Sequence, residues 1–153
     1  MAITLSTLRP LIKARLNAAA ALATYEVFLD DQPPGERQQD QEDALRAKGL
    51  IFSVPSVLGL TNLNVGAAQL TTMNAELVVH LRCIPSIRAK LLDTTPLETL
   101  VEAAVVAITG PAPERGSSQG ILQPAADLVR LVPEDIGCIT YALNFSARYT
   151  LTT

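Results

Sequence analysis

Few residues in this sequence have the chemistry of a catalytic or metal-binding group. His80 is the single histidine, so a Ser-His-Asp arrangement would need it as the general base. It lies between Val79 and Leu81 in an alternating segment, which is typical of a strand residue on a polar face. Cys83 and Cys138 are the only cysteines, 55 positions apart, and together with one histidine they lack the spacing of a metal site. The sequence therefore predicts no metal, and two free thiols that are largely buried.

The acidic residues and the glycines do not indicate an active site either. The glycine spacing matches no phosphate-binding loop. Catalytic carboxylates usually need apolar surroundings to shift their pKa, whereas the adjacent acids here lie in turn or surface contexts. These pairs are Asp30-Asp31, Glu42-Asp43 and Glu134-Asp135. We therefore expect no catalytic residue and no cofactor. The alternative from another class is a small α+β ligand-binding domain or enzyme, with its site near Glu76, His80 and Arg82 on one strand face.

Composition sets the protein class. The chain has 153 residues, 48% apolar and 18% charged, with a formal net charge of −3. That length suits a single domain over residues 1–153, and the composition excludes intrinsic disorder. The absence of a basic excess argues against direct nucleic-acid recognition. We expect no membrane association, since no window reaches about 18 apolar residues. Residues 1–25 contain no acid and could form a targeting peptide, but a structural helix fits the pattern equally well.

Apolar residues at helical spacing predict two main helices and one shorter one. The first covers residues 7–23, with Ser6 or Thr7 as its cap and Pro10 in its first turn. A short helix covers residues 38–48 and ends at Gly49. The best-specified helix covers residues 96–109, with Thr95 as N-cap, Pro96 as the first helical residue and Glu98 closing a capping box.

Alternating and apolar runs predict five strands. They cover residues 25–29, 50–54, 73–83, 127–132 and 139–151. The last would span roughly 43 Å, longer than most strands, so it either bends or projects and pairs with another chain. Residues 85–93 read as a connector that could contain one helical turn, and 30–35, 59–72 and 110–120 as loops. The fold class is α+β, a mainly antiparallel sheet of four or five strands packed against two main helices.

Two features favour contacts with other subunits. Residues 59–72 are uncharged and partly apolar, which indicates a segment that something covers. Residues 1–25 carry a net charge of +3 and residues 26–46 a net charge of −5, so complementary charge is present on separate segments. A solvated acidic surface loop is the simpler interpretation of residues 26–46.

This order of elements resembles the tail terminator, or tail completion, proteins of tailed bacteriophages. The resemblance extends from Leu8 to Leu151 and rests on an amphipathic first helix, an acidic loop, paired middle strands, a well-capped helix, a flexible loop and a long alternating last strand. It implies a hexameric ring that caps the tail tube, ends tube polymerisation and presents the docking surface for the head connector. The family has no catalytic residues.

The resemblance implies three partners: copies of the same chain, the tail tube protein, and the head-tail connector or neck proteins. It places the protein in the virion tail or neck, and in the host cytoplasm during assembly. The interpretations left open within this class are another neck or head-completion protein, and outside it a peptide-binding module. The candidate interface residues are Arg9, Lys13, Asp30, Asp31, Glu36, Asp40, Leu60, Asn62, Leu63, Asn64 and Arg115.

Overall fold

A mixed sheet of six strands organises the fold. The structure is a computed structural model that describes residues 5–29, 34–55, 57–63, 70–110, 122–133 and 137–152. The strands are β1 (Glu26–Leu29), β2 (Leu50–Val54), β3 (Gly59–Asn62), β4 (Leu70–Cys83), β5 (Leu122–Val132) and β6 (Ile139–Thr152). The helices are α1 (Leu5–Ala18), followed by a 3-10 turn (Ala20–Leu22), α2 (Pro34–Lys48), α3 (Pro85–Lys90) and α4 (Leu97–Thr109).

The strand order is β1-β2-β4-β6-β5, and β3 pairs with β4 on the same side as β2. Only the β1–β2 pair is parallel, and α2 forms the crossover between these two strands. The α+β class and the mainly antiparallel sheet are thus confirmed. The sheet has slightly more strands than expected, because residues 59–62 were expected to form a loop and instead pair with β4.

One face of the sheet is covered by α1 and α4. Period-two alternation along β4 places Ala75, Leu77, Val79 and Leu81 on this face, where all four are buried. The expected apolar stripe of α4 meets them, with Leu100, Val101, Ala104 and Ile108 buried. We call this the helical face.

The second face is partly covered by α2. Ala44 and Leu45 of α2 pack on Ile51, whose neighbours Leu50 and Phe52 point to the helical face. Beyond α2, over β4, β6 and β5, this face carries polar side chains and we call it the polar face.

The central pair of strands is long. β4 and β6 pair over their whole lengths, from Leu70–Thr152 to Cys83–Ile139, fourteen residue pairs in all. At about 3.4 Å per residue the pair spans roughly 48 Å. β3 pairs only as far as Met73 and β5 only as far as Ala147. The last strand therefore finds its partner within the chain, and its end extends as a two-stranded ribbon past the other described strands.

Two helix-start predictions are wrong. α1 begins at Leu5, so Ser6 and Thr7 lie inside the helix and Pro10 falls in its second turn. At α4 the N-cap is Pro96, in an extended conformation and without a side-chain cap. Thr95 therefore precedes the N-cap by one residue. Its N–H donates to Asp93 and its carbonyl accepts from Arg88. This anchoring replaces the expected capping box.

Other boundaries also differ from the expected ones. α2 begins four residues earlier than predicted, at Pro34, and the helical turn allowed for in the connector at 85–93 is the six-residue helix α3. β4 begins at Leu70, inside the segment expected to be a loop. β5 begins at Leu122, with an irregularity between Pro124 and Val129 that hid its first half from pattern analysis.

Candidate functional site

The β5 edge of the sheet exposes aliphatic side chains. β5 pairs with β6 on one side and, among the described residues, with no strand on the other. Val129 is 40% exposed and Leu131 is 59% exposed. An edge with unpaired backbone groups and exposed aliphatic side chains is a surface prone to pairing with another strand.

The β3 edge has the same character. β3 pairs with β4 and has no second partner strand in the described part of the chain. Leu58, Leu60 and Leu63, in and beside this strand, are 62%, 45% and 42% exposed. Two of these, Leu60 and Leu63, belong to the interface predicted from the uncharged segment.

The register shows that Leu60 at the β3 edge and Val129 and Leu131 at the β5 edge are exposed on the same face. Leu60 lies opposite Ala75 of β4, which is on the helical face. Leu131 lies opposite Tyr141 of β6, which points to the same side of the sheet as the buried Leu143. Side chains directly opposite each other in an antiparallel pair share a face. Leu60, Val129 and Leu131 therefore project from the helical face at positions that α1 and α4 do not bury. The apolar side chains of the helical face thus extend to both edges of the sheet, where they are exposed to solvent.

The polar face holds an open cavity of about 440 Å³. Its polar lining comes from three neighbouring strands, and Leu58 from the segment before β3 closes one side. The polar residues are Asn74 and Glu76 of β4, Asn144 and Ser146 of β6, and Asp127 and Arg130 of β5. Asn144 donates to the Asp127 carbonyl at 2.8 Å, which fixes the irregular part of β5 over the cavity.

The cavity includes only one of the three residues named for a ligand site. Glu76 lines it, whereas Arg82 lies 3.7 Å from Glu42 of α2. His80 is half-buried and pairs with Ser53 and Ala142 across the sheet. The structure does not bring the three side chains together into one site, because α2 covers only the end of β4 that carries Arg82.

A charged cluster joins α3 to the chain before β1. Asp93 Oδ2 accepts from the Tyr25 hydroxyl at 2.5 Å and from Arg88 Nε at 3.1 Å. Arg88 Nη2 also donates to the Thr95 carbonyl at 2.6 Å, and Arg88 is 7% exposed. A second open cavity, of about 410 Å³, lies beside Tyr25 and Asp93.

Electrostatics make this cluster a structural one. The hydrogen bond from Arg88 lowers the pKa of Asp93 to about 2, so this carboxylate is a poor base at neutral pH. Burial raises the pKa of Tyr25, and the hydrogen bond to Asp93 raises it further. Burial also raises the pKa of the Cys83 thiol, which keeps it protonated and a weak nucleophile. Burial alone would lower the pKa of Arg88, but Asp93 outweighs it and raises that pKa. The cluster fixes α3 and the start of α4.

The remaining predicted interface residues occupy different parts of the fold. Arg9 on α1 donates to the Val54 carbonyl at 3.0 Å, and Lys13 lies half-buried on the same helix. Glu36 and Asp40 are exposed on α2. Since α1 and α2 cover opposite faces, the basic and acidic segments are separated by the sheet. Asn62 ends β3, and Asp30, Asp31, Asn64 and Arg115 lie outside the described residues.

Sequence analysis did not find Leu58, Val129 or Leu131. Residues 127–132 were expected to form a strand, but apolar residues occur on both of its sides, and the pattern does not reveal which strand lies at an edge. Leu58 follows Pro55, in a segment whose pairing with β4 depends on long-range register. Only the uncharged character of the following segment pointed to this margin of the sheet.

The described part of the chain contains no group of three His, Cys, Asp or Glu side chains placed to hold a metal ion. No helix in the described ranges has the length and apolar character needed to cross a membrane. No disulfide joins the two cysteines; Cys83 is buried and Cys138 is half-buried. Comparison of the sequence with models of protein families and with curated proteins finds no match.

Proposed function

We propose that this protein is a structural subunit that assembles into a ring, and that the ring is the tail terminator of a tailed bacteriophage. The observation that carries the proposal is the exposure of the core at both margins of one sheet, at β3 and at β5. A ring needs two different, complementary surfaces on each subunit. Two sheet edges facing in opposite directions meet this need.

The other features support an assembly role over catalysis. The polar groups of the charged cluster engage one another, the lowered pKa of Asp93 makes its carboxylate a weak base, and the raised pKa of Cys83 keeps its thiol protonated at neutral pH. The long β4–β6 ribbon provides a surface beyond the core for a further partner. In the proposed ring, that partner is the tail tube protein on one side or the head connector on the other.

Electron microscopy of virus particles that lack the protein tests the specific role. The tail terminator hypothesis predicts overlong tails, since nothing ends tube polymerisation. Leaking heads with tails of normal length would instead identify a neck or head-completion protein, and would contradict the terminator role. Purified protein bound as a ring at the ends of isolated tail tubes would be the matching positive result.

The polar cavity favours one second candidate, a domain that binds a small polar ligand. Glu76, Asn144 and Arg130 provide an acceptor, an amide and a cation around a space of about 440 Å³. Under this alternative, Glu76→Ala abolishes the function and assembly is irrelevant. Under the ring proposal, the cavity is a solvated part of the polar face, and Glu76→Ala leaves the folded structure intact and weakens ring formation without abolishing it.

A further inference from the structure

We propose that β5 of one subunit pairs with β3 of the next, so that the sheets of neighbouring subunits join into one continuous sheet. This inference rests on the ring-forming role proposed above and names the interface that builds the ring. The occupant of each edge is therefore a second copy of this chain.

The exposed aliphatic side chains of β3 and β5 match each other. Leu60 on β3 and Val129 and Leu131 on β5 all project from the helical face. Neighbouring strands lie about 4.8 Å apart, so aligning the helical faces of two subunits brings Leu60 of one against Val129 or Leu131 of the other. Side chains that are half exposed in the single chain then extend one core across the interface.

The free edges of β3 and β5 also have equal lengths of regular strand. β3 has four residues, Gly59–Asn62. The regular part of β5, after its irregularity, pairs with β6 at Val129, Arg130, Leu131 and Val132, which is also four residues. Each edge therefore offers a short run of regular backbone to the other. The irregularity at Pro124–Val129 keeps the first half of β5 from joining it.

The two edges also carry complementary charges on the polar face. The Arg130 side chain is 68% exposed. It lies on the polar face, because it is opposite Ala142 of β6, which is in turn opposite His80 of β4. Glu76 is exposed on the same face, opposite Gly59 of β3. Joining the sheets places Arg130 of one subunit two strands from Glu76 of the next, within the combined reach of two long side chains. Arg130 binds Asp127 within its own chain and can add this second partner.

β1, which ends the sheet on the β3 side, is a poorer partner for β5. Val27 is buried, and Phe28 and Leu29 are half-buried against the two clusters of the core. Glu26 is exposed there. The β1 edge thus has its aliphatic side chains already covered, whereas Leu60 of β3 does not.

Disulfide crosslinking tests the pairing directly. Leu60→Cys protein is mixed with Val129→Cys or with Leu131→Cys protein carrying a different tag, under mild oxidation. A disulfide requires Cα atoms within about 7 Å, so one of the two mixtures should form a crosslinked heterodimer and the other little. The partner that reacts also identifies the register. Wild-type protein, which retains Cys83 and Cys138, measures the background.

Each outcome decides the proposal. Mixed disulfides above background, absent from each variant alone, support β3–β5 pairing. Crosslinking of Leu60→Cys or Leu131→Cys with itself would indicate a two-fold interface and overturn it. Assembly without mixed disulfides in either mixture would overturn this interface while leaving the ring role standing. A chain that stays monomeric would remove both.

A charge exchange provides an independent readout. Arg130→Glu and Glu76→Lys should each weaken assembly by about threefold to tenfold, and an equimolar mixture of the two single variants should recover most of the loss, because alternating subunits then join opposite charges at every interface. Lys90→Glu, on the exposed surface of α3, is the matched control and should have no effect. A mixture that assembles no better than the single variants would contradict the contact between subunits.

Discussion

At the residue scale, the best-defined interaction is the pair formed by Arg88 and Asp93. The two side chains are 8% and 19% exposed, and Tyr25 donates to the same carboxylate oxygen. A buried charge without its partner is costly, because water no longer solvates it. Removing one charge of the Arg88–Asp93 pair should therefore lower the free energy of unfolding, because the other charge stays buried.

Asp93→Asn should lower the free energy of unfolding by about 2–3 kcal/mol, since Arg88 keeps its charge and loses the opposite one. The matched control is Asp127→Asn, which breaks the pair between Asp127 and Arg130, 58% and 68% exposed. That variant should cost less than about 1 kcal/mol. Urea unfolding with unchanged m-values measures both. Equal losses would show that burial of the Arg88 pair contributes nothing.

The Asp93 pair should also give a defined pH dependence. The pKa of Asp93 is lowered from 3.8 to about 2, so folding favours its ionised form. The resulting stability is present above about pH 4 and is lost as the pH falls toward 2. The difference in unfolding free energy between wild type and Asp93→Asn should thus be constant from about pH 5 to 7 and shrink below about pH 4. A difference that persists unchanged at pH 2 would contradict the assigned pKa.

At the scale of elements, Gly49 connects the end of α2 to the start of β2. Its φ is +75°, and a Cβ at this position would lie 2.7 Å from Cγ and 2.9 Å from the backbone N of Arg88. Left-handed backbone and close approach both require glycine here. The prediction that this glycine terminates the helix is confirmed, and the structure adds the contact with α3.

Gly49→Ala should therefore destabilise the fold by at least about 2 kcal/mol, from backbone strain and from the displaced Arg88. Gly35→Ala in the first turn of the same helix is the control, because nothing lies within 4 Å of its Cβ position. We expect the control to be neutral or stabilising by up to about 1 kcal/mol. Thermal unfolding of both variants checks this, and a harmless Gly49→Ala would contradict the close packing of α2 on α3.

Several elements could be predicted because their signals are local. The residues of β2 were found with their correct bounds, and the stripe from Leu97 to Ile108 identified the buried side of α4. The alternation from Ile139 onward gave β6 and its core residues. Each of these patterns depends only on which side of a single element is buried.

The rest depends on contacts that no local pattern indicates. Asp93 and Arg88 lie only two and seven positions from Thr95, but no sequence pattern shows that they bind its backbone. The pairing of Gly59–Asn62 with β4, and the edge position of β5, follow from strand order. Leu60 was found through the lack of charge around it, whereas Leu131 carried no signal, since an edge strand and a central strand can have the same pattern.

At the scale of the whole molecule, the two exposed margins should control assembly. Leu131→Asp places a charge at the centre of the proposed interface and should weaken assembly by at least about tenfold. Val106→Asp is the control, since Val106 is 69% exposed on α4 and belongs to neither sheet edge. Sedimentation as a function of concentration compares the two. Equal effects of both variants would argue against a specific role of the β5 edge.

The proposed function requires the chain to assemble into a ring of identical subunits. Sedimentation velocity of the wild-type protein at micromolar concentration, over a range of salt concentrations, measures this assembly. We expect a closed species that is a fixed multiple of the 16.3 kDa chain, six-fold for a tail terminator. A monomer of 16.3 kDa under every condition, together with no binding to tail tubes or connectors, would contradict it.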